Sequence, residues 1–271
     1  MYTLNNSALQ VSILDPVADR LRLGTRYCHG GYIFQVADHK LGPLLSGPTY
    51  PNSFNSFDGQ GLPESFNLSP LRSPTVEEPL ALVLGIGLCN LNTNLVVDWS
   101  IWDVTTDVDR IGFRTAHKFG KLAADIERVV SLTNRTVRSE TSLTNLGGNS
   151  IPVRWFPHPF FPQPMSDELC RFNIPVTFVD NPGYTLDSDG FICRKGWPWK
   201  DDYFLPLSHD ANTNLVVYQR HLLLGLVTAT CSFIPAYFPI WGNSCTFSWE
   251  PFLERTLGPQ QQLRWRIDYE F

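Results

Sequence analysis

Apolar and polar residues alternate strictly over several stretches of the chain, the pattern of strands with one face buried and one in water. At the C-terminus Leu263, Trp265, Ile267, Tyr269 and Phe271 fall on one face, and Arg264, Arg266, Asp268 and Glu270 on the other. Val137, Ser139, Thr141 and Leu143 alternate in the same way with Arg138, Glu140, Ser142 and Thr144. After the turn Leu146-Gly147-Gly148-Asn149, the residues Ile151, Val153 and Trp155 share one face of a further strand. The turn residues of Asp180-Asn181-Pro182-Gly183 and Ser188-Asp189-Gly190 predict two more hairpins. Helical periodicity is scarce, and its best candidate is a turn or two at Ser166–Phe172. The pattern predicts an all-β fold of many antiparallel strands, arranged as a large sandwich. Ser46–Ser73 is a long stretch rich in Pro, Gly, Ser and Asn, and a loop of that length in a compact domain is often functional.

Composition narrows the picture. A chain of 271 residues suits one all-β unit, so a single domain over 1–271 is expected. Charged residues make up 17%, below the usual quarter or so, which argues against disorder and against a solvated helical bundle. A net charge of −5 with no Lys/Arg block makes nucleic acid and anionic membrane poor partners. Met1–Asn6 has neither the basic nor the apolar part of a signal peptide. The longest apolar run, Leu222–Val227, is interrupted by Gly225 and falls far short of a membrane span. These features predict a cytoplasmic protein whose six scattered cysteines are reduced and mostly buried. No zinc site, and so no metal, is expected, because Cys28 and His29 are the only adjacent pair drawn from Cys and His.

Two short segments carry candidate chemistry. In Arg154-Trp155-Phe156-Pro157-His158-Pro159-Phe160-Phe161-Pro162 one histidine lies between two prolines in an aromatic block. Imidazole exchanges a proton near neutral pH. The prolines fix φ and keep the segment extended, while the aromatic faces suit a dry pocket or a sugar ring. Ser248-Trp249-Glu250-Pro251-Phe252-Leu253-Glu254 follows the strand-like run Cys245–Trp249 and offers a carboxylate in similar company. Aromatic neighbours withdraw water from Glu250 and raise its pKa towards that of a working base. Glu254 is the alternative.

Together these segments resemble the galactose mutarotase (aldose 1-epimerase) family. The run Ala124–Phe161 ends in IPVRWFPHPFF, similar to the family's strand closing in His-Pro and an aromatic. The tail FSWEPFLERTLGPQQQLRWRIDYEF is similar to the family's C-terminus. Lys200-Asp201-Asp202-Tyr203-Phe204 resembles its Asp-x-x-Phe segment. The likeness covers roughly 110–271, with a weaker part around Leu23-Gly24-Thr25-Arg26.

The resemblance implies a β-supersandwich that interconverts the α and β anomers of a free or modified sugar without cofactor or metal. It implies His158 as general acid, Glu250 as general base and Asp201 as a hydroxyl ligand, with Asp202 as the neighbouring choice. Ring opening removes a proton from the anomeric hydroxyl and adds one to the ring oxygen. Both oxygens sit on one carbon, so an acid and a base must converge on a single acetal centre. The two groups are expected to line one cleft, about one sugar ring apart.

The chain also departs from the family's pattern. An N-terminal Gly-Arg step and a histidine in a His-Gly context are missing from the matching stretch, FDGQGLPESFNLSPLR. Arg26, His29 and Arg154 are candidates for a substitute arrangement, Arg26 and His29 being close to the flexible pair Gly30-Gly31. Trp155 is a candidate platform for the sugar. The alternatives are a non-catalytic carbohydrate-binding or sensing protein, and different chemistry on the same fold.

Overall fold

The computed structural model describes residues 1–73 and 77–271. Its frame is the ladder that the alternation predicts. Leu143 lies opposite Leu263, Thr141 opposite Trp265, Ser139 opposite Ile267 and Val137 opposite Tyr269. A slip of one residue would turn every one of these side chains outward, so burial of one face fixes the register. On the outer face Arg138 meets its cross-strand partner Asp268 at 2.5 Å, and Arg264 meets Glu140 at 2.6 Å.

These two strands, Thr136–Asn145 and Gln262–Glu270, are the centre of a ten-stranded sheet. One wing runs outward through Leu122–Thr133 and Arg110–Phe119 to Asp103–Thr106. The other runs through Gly225–Cys231, Val216–His221, Glu168–Phe172 and Ile192–Arg194 to Tyr184–Leu186. Two smaller sheets cover its buried face. One joins Leu253–Leu257, Ile151–Pro157 and Glu64–Ser65. The other joins Phe161–Pro162, Thr246–Trp249, Phe238–Gly242, Tyr203–His209 and Val176–Thr177. Aromatic side chains bridge the layers: Trp155 meets Trp265 edge-on at 5.3 Å, and Trp249 stacks on Tyr269 at 6.1 Å. A four-stranded N-terminal sheet adds to the same hydrophobic cluster, while the three strands Leu80–Val83, Gly87–Asn90 and Leu95–Trp99 join it through Leu82 and hold a small cluster of their own around Val83, Ile86 and Cys89. No helix among the described residues is long and apolar enough to cross a membrane.

Two local expectations are corrected. Ser166–Phe172 is not helical; Glu168–Phe172 is a strand paired on both sides. A bulge between Glu168 and Cys170 buries the consecutive residues Leu169 and Cys170, and with Phe172 they imitate helical spacing. So short a segment has little helical stability of its own, and pairing in the sheet wins. Asp180–Gly183 closes no hairpin. Its Asn181 side chain accepts from the backbone of Gly183 and Tyr184, and the turn carries the chain from the five-stranded sheet to the ten-stranded one. The Ser188–Gly190 turn does close a hairpin, between Tyr184–Leu186 and Ile192–Arg194. All six cysteines are unpaired, and four are buried.

Candidate active site

The strand Ile151–Pro157 delivers His158 to the edge of its sheet. There Phe156 and Pro157 pair with Ser65 and Glu64. The His158 amide then donates to Pro63 O and the Phe160 amide to Gly61 O, both at 2.8 Å. Residues with an amide proton thus alternate with Pro157 and Pro159, which have none, and the segment is held straight from one side. Gly61 makes the close approach possible. Its φ is +81°, and a Cβ there would come within 2.4 Å of Ile33 O.

Glu250 arrives from the neighbouring layer. It follows Thr246–Trp249, donates its amide to Pro239 O at 2.9 Å, and is the last residue before Pro251 interrupts the ladder. The same strand pairs with Phe161–Pro162, just beyond the histidine. His158 Nε2 therefore lies 3.3 Å from Glu250 Oε1. Ser248, two residues before Glu250 and so on the same strand face, sets its Oγ 2.9 Å from His158 Nδ1. That contact orients the ring and leaves Nε2 for the carboxyl group. The imidazole stacks on Phe160 at 4.4 Å and meets Trp241 edge-on at 5.9 Å.

Burial sets the charge of this pair. Glu250 is 6% exposed and loses the water that would solvate a carboxylate, which pushes its pKa up to about 8 against the opposing pull of Arg26. His158 is 3% exposed, and burial, reinforced by the Arg26 charge, holds it well below the usual imidazole range. At neutral pH the pair is uncharged, a carboxylic acid beside a neutral imidazole. Buried groups with pKa values shifted in this way are typical of functional sites.

Both residues line a cleft of about 600 Å³. Arg26 lines it too, its guanidinium lying over the rings of Tyr27 and Phe57 at 5.1 and 5.2 Å. Of the two neighbouring aspartates, Asp202 reaches the cleft and accepts a hydrogen bond from Trp241 Nε1 at 3.0 Å. Asp201 is exposed and outside the lining. Trp155 is also outside it. Alternation sends its ring into the core against Phe233 and Trp265, and turns Arg154 and Phe156 to the cleft instead. Arg154 pairs with Glu254 at 2.9 Å, so the alternative base is engaged with an arginine away from His158. His29 is buried beside Trp99, its Nε2 2.8 Å from Gly24 O, and burial lowers its pKa to about 4. The structure thus brings together His158, Glu250 and Arg26, and leaves Asp201, His29 and Trp155 outside.

The expected gap of one sugar ring between acid and base is not seen; the two are in contact. The long stretch Ser46–Ser73 supplies Pro48, Phe57, Asp58, Asn67 and Leu68 to the cleft. Ser248 and Trp241 were also missed. Ser248 was signalled only by its position two residues before Glu250. Nothing local marks Asn67 or Trp241.

No protein-family model and no curated protein matches the sequence. Solved structures match it in three dimensions. The galactose mutarotase related enzyme from Lactobacillus acidophilus superposes with a TM-score of 0.64 at 12% identity, over 99% of this chain and 96% of its own. A galactose mutarotase-like protein from Lactobacillus casei gives 0.58 at 11% identity, over 100% and 99%. The aldose epimerase homologue from C. elegans gives 0.53 at 10%, over 99% and 97%. Fold and cleft together define a large antiparallel β-sandwich with a buried acid/base pair at its edge. More particularly, the fold is that of the galactose mutarotase-like proteins, at a sequence distance where the likeness speaks for architecture alone.

Proposed function

We propose that the protein is an aldose 1-epimerase-like isomerase that opens and recloses the ring of a sugar without a cofactor. The contact between His158 and Glu250 on the wall of an aromatic cleft carries this reading. Two oxygens on one acetal carbon lie closer together than the 3.3 Å between Nε2 and Oε1. A pair in contact can therefore serve both oxygens once a sugar settles over it.

The proton count is consistent with such a cycle. Moving one proton from Glu250 to His158 turns the resting pair into a carboxylate and an imidazolium. Glu250 then takes the anomeric hydroxyl proton, the bond from C1 to the ring oxygen breaks, and His158 gives its Nε2 proton to that oxygen. The products are an open-chain aldehyde, a carboxylic acid and a neutral imidazole. The resting state thus has the protonation of the open-chain half of the cycle. Rotation about C1–C2 and reversal of the two transfers yields the other anomer. Each such group contributes on the order of 10²–10⁴ in rate.

Arg26 and Asp202 are the polar groups best placed to hold sugar hydroxyls. Six unpaired cysteines fit a reducing, cytoplasmic setting. NMR exchange between anomers, run over a panel of free aldoses, tests the reading. Exchange accelerated by the protein and lost in Glu250→Gln is expected, and exchange unchanged by that substitution overturns it. Saturable binding with no exchange would make the cleft a carbohydrate-binding site only.

A further inference from the structure

Four leucines are left partly in water on two neighbouring turns. Leu222 and Leu223 belong to the loop between Val216–His221 and Gly225–Cys231, and Leu226 is the second residue of the strand after it. Leu41 lies in the turn that follows Ile33–Asp38. Each of the four is 40–46% exposed. The two turns meet, because Leu41, Leu224 and Leu226 line one groove of about 440 Å³. One exposed apolar side chain is ordinary, but four together make a patch.

The backbone under this patch is fixed. The amides of Leu223 and Leu224 donate to His221 Nδ1 at 3.1 and 3.2 Å, so that nitrogen carries no proton. The other ring nitrogen, Nε2, then donates to Leu44 O at 2.7 Å and ties the loop to the neighbouring sheet. Gly225, at φ +75°, closes the three-residue loop in the conformation that hairpins of this length favour. A surface already held in shape loses little freedom when it is covered.

Two charges border the leucines, and among the described residues neither is in an ion pair. Lys40 adjoins Leu41 and lines the groove. Glu270 lies opposite Thr228, whose hydroxyl donates to it at 3.2 Å, and Thr228 follows Leu226 by two residues on the same face of the strand. Arg135 and Asp38, also in the groove, offset one another at 2.8 Å. A patch with a cation on its Leu41 side and an anion on its Leu226 side is its own complement. In a two-fold pair the same surface meets itself, leucines on leucines, and the Lys40 of each copy faces the Glu270 of the other.

We propose that two copies of this chain associate through the leucine patch about a two-fold axis. Sedimentation velocity of the intact protein, over a concentration series through the micromolar range, should show a monomer–dimer equilibrium. Leu223→Asp, which changes only an exposed side chain, raises the dissociation constant about a hundredfold. Lys40→Glu and Glu270→Lys each raise it about tenfold, and the double swap K40E/E270K, which restores both pairs, returns it to within about threefold of the parent. Should Leu223→Asp lose the fold by circular dichroism, the charge swaps decide alone. A monomer throughout the series overturns the proposal, as does a dimer that a folded Leu223→Asp leaves unchanged. A double swap no tighter than either single one overturns the two-fold contact. Co-sedimentation of a monomer with vesicles of phosphatidylcholine and phosphatidylglycerol, lost in Leu223→Asp, would make the patch a membrane contact and overturn it too.

Discussion

Among the described residues two acid/base pairs are buried on both sides, and they are built in opposite ways. Glu64 and Arg128, 3% and 1% exposed, meet at 2.5 Å. The arginine, always a cation, also donates to Gly30 O, Ser139 Oγ and Thr141 Oγ1, and Ser139 donates to the other Glu64 oxygen. Glu250 and His158 are as deeply buried, yet beyond each other the pair has, among the described residues, only Ser248 as a side-chain hydrogen-bond partner. Where hydrogen bonds replace the lost water, the arginine keeps its charge and the pair braces the fold. Where they do not, burial drives both groups towards neutrality and leaves a proton free to move. Burial alone therefore does not separate a charged brace from a neutral pair; the number of compensating partners does.

The contrast breaks most visibly if the brace is cut. Glu64→Ala leaves Arg128 as an uncompensated buried charge and should cost ~3–5 kcal/mol, read as a lower midpoint in chemical denaturation. Glu250→Gln should do the reverse, leaving the fold at neutral pH no less stable than the parent, because Gln needs no proton to be neutral, while anomer exchange falls about a hundredfold or more.

The pH dependence of stability sharpens the comparison further. The Glu250 pKa is about 8 in the fold against 4.5 for an unperturbed glutamate, so the folded state binds the extra proton and stability falls as pH rises between those values. His158 acts oppositely: its depressed pKa makes stability rise with pH, but only up to about 6.5. Between about 6.5 and 8 the Glu250 slope stands alone, at up to ~1.4 kcal/mol per pH unit. Denaturation curves across that window should show this loss in the parent protein and not in Glu250→Gln. The smallest effect is expected at Glu254, whose pair with Arg154 is about 40% exposed on both sides. Glu254→Gln should shift stability by ~0–1 kcal/mol and leave exchange intact.

The parts of this design that rest on local pattern were legible in the sequence. Alternation gave the central strands and their core face, and the proline and aromatic context marked His158 and Glu250. Alternation also assigned Trp155 to a face with Ile151 and Val153, which is the core face rather than the cleft. The choice between Asp201 and Asp202 was beyond it, because both precede the strand Tyr203–His209 and alternation starts only there. The brace was hidden for another reason. Glu64 and Arg128 are far apart in sequence, and the one local trace is a charged residue at an inward position of Leu122–Thr133. Such a violation of pattern is itself a signal that a partner exists elsewhere.

The prolines on either side of His158 have a further consequence, for the hydrogen bonds of the buried wall. In an extended segment successive amides point to opposite edges. Those of His158 and Phe160 are taken by Pro63 and Gly61, and the edge that Pro157 and Pro159 would serve has no donor at all. Pro157 and Pro159 are buried, so an amide at either place would need a partner away from water or be left unsatisfied. The residues that stiffen the histidine thus also remove two donors that this buried wall would otherwise have to pair.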